Sequence, residues 1–176
     1  MTEQATLEQT ESGLSPTSDG WFVVNAADAV WWQSDYFGAS TSFEGEPEFP
    51  EYGVNIHVLW PGQPNGLYHQ ESVQEDFLVV AGECVVVIEG QERPLRAWDF
   101  VHCPAGTEHI FVGAGDGPCV IVMAGSRAEG NIVYPVSELA RKHGASAEAE
   151  TSVPKEAYAP FDRGGPGPMP DGALPA

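Results

Sequence analysis

The sequence predicts an all-β protein. Short, largely apolar segments, such as residues 75–80 and 84–88, carry apolar side chains on both faces, as strands covered on each side do. Turn-forming residues separate these segments, and the run Glu89-Gly90-Gln91-Glu92 between two of them is typical of a hairpin. Only one segment carries the caps and the apolar stripe of a helix. Short strands with regular turns favour a jelly-roll or barrel architecture.

The N-terminal part is polar at first and then aromatic. Residues 1–20 are acidic and poor in apolar side chains, which predicts a flexible N-terminal arm. The β-branched and aromatic segment from Trp21 to Val24 predicts the first strand. Residues 28–43 are too irregular to assign. Their large aromatic residues, Trp31 and Trp32, either cover the barrel, form a dimer contact or line a ligand pocket.

The middle of the chain, residues 54–124, predicts the body of the barrel. Val54 to Trp60 forms a strand that ends at Pro61-Gly62, and His57 on it is interpreted as a core or cavity residue rather than a ligand. Tyr68 is expected to face away from the cavity. The further predicted strands are residues 75–80, 84–88, 93–103 with a turn near 97–99, 109–112 and 119–124. We therefore assign residues 21–134 to one β-barrel domain.

The C-terminal part predicts one helix and a tail. Pro135 to His143 carries Ser137 as its N-cap, basic residues in its last turn and Gly144 as its stop. Residues 135–163 are interpreted as this helix and an extension. Residues 164–176 are rich in glycine and proline and are expected to form a disordered tail that can be removed.

Composition limits the possible partners and the location of the protein. With 176 residues and 42% hydrophobic content, the chain is long enough for one core. The formal net charge of -19 disfavours nucleic acid and anionic membranes, since both require a basic patch. The N-terminus lacks the pattern of a signal peptide, and no apolar run is long enough to cross a membrane. The three cysteines lie in apolar segments without a paired motif, so the expected location is the cytoplasm.

Four residues form a candidate metal site: His69, Glu71, Glu75 and His109. His69 and Glu71 are two residues apart, so on a strand both side chains point to the same face. Glu75 follows after a short polar link, and His109 follows a turn at Pro104-Ala105-Gly106. Imidazoles and carboxylates together are a plausible ligand set for a divalent ion. Burying two carboxylates without a cation would be unfavourable, which favours a metal over a water-filled relic of the site.

The same residues resemble the two motifs of the cupin superfamily, over about residues 54–124. The first motif, G-x5-H-x-H-x3-4-E-x6-G, is similar to His69-x-Glu71, followed by Glu75 and then Gly82. The second, G-x5-P-x-G-x2-H-x3-N, is similar to Pro104-x-Gly106-x2-His109. The resemblance implies a double-stranded β-helix, with a metal held inside by residues of both motifs.

The chain departs from the motifs at four positions. Glu71 stands where the family usually has its second histidine, so the predicted site has two histidines and two carboxylates, unless Glu71 is a second-shell or substrate-facing base. Such a set favours zinc, iron or manganese over copper-like ions. The opening glycine of the first motif is displaced to Gly62, Trp98 replaces the glycine that opens the second, and Gly113 replaces its closing asparagine. None of these three removes a ligand.

Function is therefore predicted only by class. The favoured hypothesis is a metalloenzyme of the oxygenase or isomerase type that acts on a small organic molecule. The alternatives are a non-catalytic metal-containing module that binds or senses a small molecule, and a scaffold held by a structural metal. No catalytic base can be assigned outside the ligand set. A homodimer is expected, because an antiparallel barrel has edge strands and the segment from Trp21 to Phe43 has excess apolar surface.

Overall fold

The structure, a computed structural model, describes residues 2–174 and consists mainly of strands. The strands are β1 (Leu7–Thr10), β2 (Gly13–Pro16), β3 (Trp31–Ser34), β4 (Gly38–Thr41), β5 (Tyr52–Leu59), β6 (Gln70–Glu71), β7 (Glu75–Ala81), β8 (Glu83–Ile88), β9 (Gln91–Arg96), β10 (Phe100–Cys103), β11 (His109–Ala114), β12 (Cys119–Ser126), β13 (Ile132–Val133) and β14 (Gly165–Gly167). The helices are a 3-10 turn (Ala26–Asp28), α1 (Glu138–Arg141) and α2 (Pro154–Ala157). Within residues 2–174, no helix has both the length and the apolar character needed to cross a membrane.

Two sheets face each other, which confirms the predicted all-β jelly-roll. The larger has the order β10-β7-β12-β5-β4-β3-β14, and the smaller has the order β11-β8-β9. The core lies between them: Leu59, Phe77 and Ile121 of the larger sheet pack in one cluster with Val86 and Phe111 of the smaller. All five are at most 3% exposed. This burial of apolar side chains from both inner faces holds the sheets together.

The register of the larger sheet determines which side chains face inward. Ile121 is paired with His57, His57 with Ser40, and Ser40 with Trp32. Directly opposed residues share a face, so this row extends from the buried Ile121 along the inner face to β3. Towards β3 the inner face thus becomes polar, and there it lines cavities instead of packing tightly.

The outer face of the same strands is covered by the end of the chain. Trp31, Val58 and Val120 form an outer cluster with Ala173, and each is at most 2% exposed. β14 pairs with β3, with Gly165 opposite Gln33. The expected disordered tail is therefore wrong for residues 165–167, because the backbone can pair even though glycine and proline offer few side chains. The final two residues of that predicted tail lie outside the described part.

The N-terminal segment also differs from the prediction. Trp21 to Val24 is not a strand: Trp21 forms only an isolated bridge with Gln4, and the first strand of the larger sheet begins at Trp31. The first 20 residues, expected to form a flexible arm, contain the hairpin of β1 and β2; Met1 lies outside the described residues. The domain boundaries and the homodimer stay predictions. Sedimentation at micromolar concentration would test the homodimer, and a monomer under those conditions would contradict it.

The backbone explains two departures from the motifs. Trp98 has φ of +78°, so the residue that replaces the motif's first glycine still adopts the left-handed conformation that favours glycine. At Gly113 a Cβ would lie 2.3 Å from the Trp60 carbonyl oxygen, so asparagine cannot fit without movement of the backbone. Trp98 thus keeps the turn between β9 and β10, and Gly113 lets β11 approach the backbone of residues 59–60.

The predicted C-terminal helix is confirmed as α1. Ser137 Oγ accepts from the Ala140 N–H at 3.2 Å, and Gly144 ends the turn with φ of +69°. Ala140 packs with Tyr68 and Val87 in a cluster outside the cavity, so Tyr68 faces away from the candidate site as expected. The short helix α2 was not predicted, since four residues are too few to produce a helical period.

Candidate metal centre

The histidines of the two motifs lie opposite each other. His109 is the first residue of β11, and His69 immediately precedes β6. They form an antiparallel bridge: the His69 N–H donates to the His109 carbonyl at 3.2 Å, and the His109 N–H donates to the His69 carbonyl at 2.8 Å. Their ring centroids are 4.8 Å apart. The backbone therefore brings both imidazoles to the same point.

A backbone carbonyl orients each imidazole. His69 Nδ1 lies 2.8 Å from the Leu67 carbonyl oxygen, and His109 Nδ1 lies 3.0 Å from that of Thr107. A carbonyl oxygen only accepts, so Nδ1 of each neutral ring must carry the proton. This tautomer leaves Nε2 of both rings unprotonated. Histidines that bind metals commonly have their other nitrogen held in this way.

Glu75, the first residue of β7, supplies a carboxylate beside His109. Its Oε2 lies 3.6 Å from His109 Nε2. Burial raises the pKa of Glu75 to about 8, with the Glu71 carboxylate acting in the same direction. Burial lowers the pKa of His109 to about 4, aided by His69. Burial thus opposes the charged form of each group, and a cation between them would favour the ionised carboxylate.

These three residues have the spacing of a metal site. One ligand atom from each of His69, Glu75 and His109 lies within 4.8 Å of the others. The structure thus brings together three of the four residues that the sequence singled out. Glu71 lines the same cavity but is not part of this group. Its ligation stays a prediction.

The group lies in the wall of a cavity of about 280 Å³. Five other polar residues line it: Asn55, His57, Asn65, Ser126 and Arg127. Asn55, Asn65, Ser126 and Arg127 were not predicted as site residues. The alternation of Gly53, Asn55 and His57 along β5 was a usable signal, since it places two polar side chains on the inner face.

Two of these residues are held by other groups. Asn65 Oδ1 accepts from the Phe111 N–H at 2.9 Å, which fixes the amide and turns its nitrogen towards Met123. Arg127 forms an ion pair with Glu44 at 2.7 Å. The charge of this guanidinium is therefore already paired at the cavity wall.

His57, in contrast, lacks a hydrogen bond at its inner nitrogen in the part of the chain that the structure describes. Its buried Nδ1 has no hydrogen-bond partner within residues 2–174. Burial lowers the pKa of His57 to about 4, so the ring is neutral at pH 7. The accessible part of the ring borders the cavity. An unpaired buried nitrogen is unfavourable, and a ligand that bonds to it would remove that cost.

The two facing sheets and the enclosed site of histidines and carboxylate place this chain among the double-stranded β-helix proteins. Residues 55–125 match the family model described as the Cupin domain. Residues 55–125 therefore form a cupin domain, as the motifs predicted. A comparison with curated protein sequences finds no significant match.

Solved structures share the fold at low identity. The polyketide cyclase RemF from Streptomyces resistomycificus is 14% identical, with a TM-score of 0.53, over 61% of this chain and 80% of RemF. KdgF from Halomonas sp. is 24% identical, with a TM-score of 0.46, over 56% of this chain and 88% of KdgF. A proposed sugar phosphate isomerase from Acidithiobacillus ferrooxidans is 22% identical, with a TM-score of 0.47, over 53% of this chain. This chain spans only 61% of that protein's length. At such identities the likeness concerns the fold alone.

Proposed function

We propose that this protein is a metal-dependent enzyme of the oxygenase or isomerase type that acts on a small organic molecule. The observation that supports it is the group of His69, Glu75 and His109, whose ligand atoms lie within 4.8 Å of one another in a cavity wall. The cavity volume of about 280 Å³ lies just below the usual range for ligand pockets, about 300–1,000 Å³. The site therefore suits a small molecule.

The donor set fits one divalent transition metal. Two Nε2 atoms and one carboxylate would hold zinc, iron or manganese and leave positions open. The carbonyls of Leu67 and Thr107 keep both imidazoles in the required tautomer. When bound, such a metal supplies Lewis acidity or, as iron, reactivity towards dioxygen. Glu71 is either a fourth ligand or a base on the same wall.

The chain itself would bind and orient the substrate. Asn65, fixed through its bond to the Phe111 N–H, and Asn55 present amide groups to the cavity. His57 offers a neutral imidazole that can exchange a proton or a hydrogen bond with the substrate. Phe77 and Met123 supply apolar wall, which reduces the access of water to the reacting groups.

A screen of small organic substrates tests this function. Protein reconstituted with iron(II), manganese(II) or zinc(II) is assayed for product, with oxygen consumption recorded. Turnover with oxygen uptake selects the oxygenase type, and turnover without uptake selects the isomerase type. His109→Ala should abolish turnover. The control His102→Ala should keep it, because His102 is an exposed histidine on β10 that pairs with Asp76. Saturable binding of a small molecule without turnover, with every metal, would contradict the enzyme hypothesis and favour a binding or sensor module.

A further inference from the structure

A second cavity of about 160 Å³ adjoins the candidate metal centre. Its wall includes Trp32 and Ser40 on the inner face of the larger sheet and Tyr158 and Arg163 from the C-terminal extension. His57 and Asn65 line both cavities. The two spaces thus meet at these residues.

The register shows that both cavities lie under the same face of the sheet. Trp32, Ser40 and His57 are directly opposed on β3, β4 and β5, so their side chains share the inner face. Asn55, two residues before His57 on β5, lines the first cavity. A ligand on this face could therefore contact both cavities beside the His57 ring.

The wall of the second cavity is well defined. The Tyr158 hydroxyl accepts from the Leu67 N–H at 3.1 Å, and within residues 2–174 no acceptor takes its own proton, so it can donate to a ligand. A Cβ at position 66 would lie 2.7 Å from that hydroxyl oxygen, so Gly66 permits the approach. Phe37 packs edge-to-face on the Tyr158 ring, with centroids 5.4 Å apart. The result is an aromatic wall of two steeply inclined rings, with the Tyr158 hydroxyl as its polar group.

Arg163 supplies a positive charge to this cavity. Its guanidinium carbon lies 5.0 Å from the Tyr158 ring centroid, and its backbone carbonyl accepts from Trp32 Nε1 at 2.6 Å. Within residues 2–174, Arg127 and Arg141 are each paired with a glutamate, whereas Arg93, Arg96 and Arg163 have no ion pair. Of these three, Arg163 is the one that lines this cavity. An unpaired arginine beside a cavity in a chain with a net charge of -19 is a candidate anion-binding group.

We propose that the second cavity binds the carboxylate end of the substrate, a small carboxylic acid with a flat apolar or aromatic body. The carboxylate pairs with Arg163 and accepts from the Tyr158 hydroxyl. The body lies along Phe37 and Trp32, and His57 bonds to a polar group of the ligand between the cavities. The position of the reacting end, at the first cavity, rests on the proposed function; the carboxylate site does not.

A carboxylate fits better than a phosphate. A planar guanidinium matches a carboxylate in the bidentate arrangement, and one arginine with one hydroxyl supplies few donors. Phosphate sites usually add backbone N–H groups or further cations. The cavity wall has one basic residue, Arg163.

Titration with benzoate, followed by NMR, tests this site. The indole N–H resonance of Trp32 reports binding, and it is assigned by its loss in the Trp32→Phe variant. Benzoate should shift this resonance saturably, and neutral benzyl alcohol should bind about tenfold more weakly or worse. Arg163→Gln should weaken benzoate binding by a similar factor. The control Arg93→Gln, which removes an equal charge on β9, should bind like the unmodified protein. Equal affinity for the two probes, or for the unmodified protein and Arg163→Gln, would overturn the proposal.

The His109→Ala variant separates this proposal from the proposed function. Benzoate binding that persists in it supports a carboxylate site away from the metal. Binding that is lost in His109→Ala but unchanged in Arg163→Gln would place the carboxylate at the metal and overturn the inference. If the unmodified protein retains no metal yet binds benzoate through Arg163, the carboxylate site stands and the proposed metalloenzyme fails.

Discussion

His69 and His109 donate their backbone N–H groups to each other's carbonyls, at 3.2 and 2.8 Å. One residue comes from each motif, so this single bridge joins the two halves of the candidate site. The backbone pairing also sets the positions of the rings, whose centroids are 4.8 Å apart. Ligand geometry at this centre thus depends on the sheet, and substitution of either ring should leave the bridge in place.

Glu75→Gln should weaken metal retention more than Glu71→Gln, because Glu75 belongs to the three-residue group and Glu71 does not. We expect a loss of at least tenfold for Glu75→Gln, in the range seen when groups that support a metal are lost. Dialysis against a chelator followed by elemental analysis measures both. Partial loss of metal in Glu71→Gln would support Glu71 as a fourth ligand. Full metal occupancy with impaired turnover would support Glu71 as a base. Equal retention in Glu75→Gln and the unmodified protein would contradict the assignment of Glu75.

His57→Gln should make the metal-free protein less sensitive to acid. Burial lowers the pKa of His57 from 6.5 to about 4. As pH falls below 6.5, the unfolded chain takes up the proton first. The stability from this group is therefore fully present above pH 6.5 and is lost as pH falls through about 4. The full effect is at most about 3 kcal/mol. Urea unfolding between pH 7.5 and 4.5 measures the stability of the unmodified protein and of His57→Gln. An equal loss of stability in the two would contradict this prediction.

Trp98→Gly should raise the free energy of unfolding slightly. Trp98 has φ of +78°, which costs a residue with a side chain about 1–2 kcal/mol. Its side chain is 76% exposed, so little packing is lost. The greater entropy of glycine in the unfolded chain offsets part of the gain, which leaves about 0.5 kcal/mol. Gly106→Ala, at φ of +85°, is the matched control and should have the opposite sign. Destabilisation by Trp98→Gly would contradict the strain.

Removal of residues 164–176 should lower the melting temperature. The deletion removes β14, which pairs with β3, and Ala173, which packs against Trp31. A loss of about 2 kcal/mol corresponds to roughly 4–8 °C at this chain length. Ala173→Asp should reproduce much of the effect, whereas Asp171→Ala, at an exposed position, should not. An unchanged melting temperature after the deletion would contradict the packing of the tail.

The central strands could be predicted from the sequence because each carries its own pattern. Residues 77–80 are a short apolar run that ends before the turn at Ala81-Gly82, and the structure has β7 at Glu75–Ala81. The turn at Glu89-Gly90 was also predictable, and both residues have the positive φ of a tight hairpin. In these segments the local signal and the tertiary structure agree.

The edges of the fold could not be predicted, because partners distant in sequence determine them. Gly165–Gly167 has no strand pattern and becomes a strand only through the backbone of β3. Trp21 to Val24 has a strand pattern, yet Trp21 makes only one isolated bridge. Arg163 reaches a cavity through a fold that joins positions far apart in the chain. A single sequence carries no signal for such a pairing.

The site was predictable where motifs carried it. The spacing around His69, Glu75 and His109 was sufficient to name three residues that the structure brings together. Strand parity placed Glu71 on the same face as His69, and it does line the cavity. Strand parity does not determine how far a carboxylate lies from an imidazole, so it could not predict whether Glu71 is a ligand.

Metal content after reconstitution tests the central claim most directly. The unmodified protein and variants His109→Ala and His102→Ala are loaded with iron(II), manganese(II) or zinc(II), desalted and examined by elemental analysis. Circular dichroism checks that each variant is folded. We expect about one ion per chain in the unmodified protein and in His102→Ala, and almost none in His109→Ala. The absence of retained metal in the unmodified protein, or equal retention in folded His109→Ala, would contradict the claim that these residues form a metal centre.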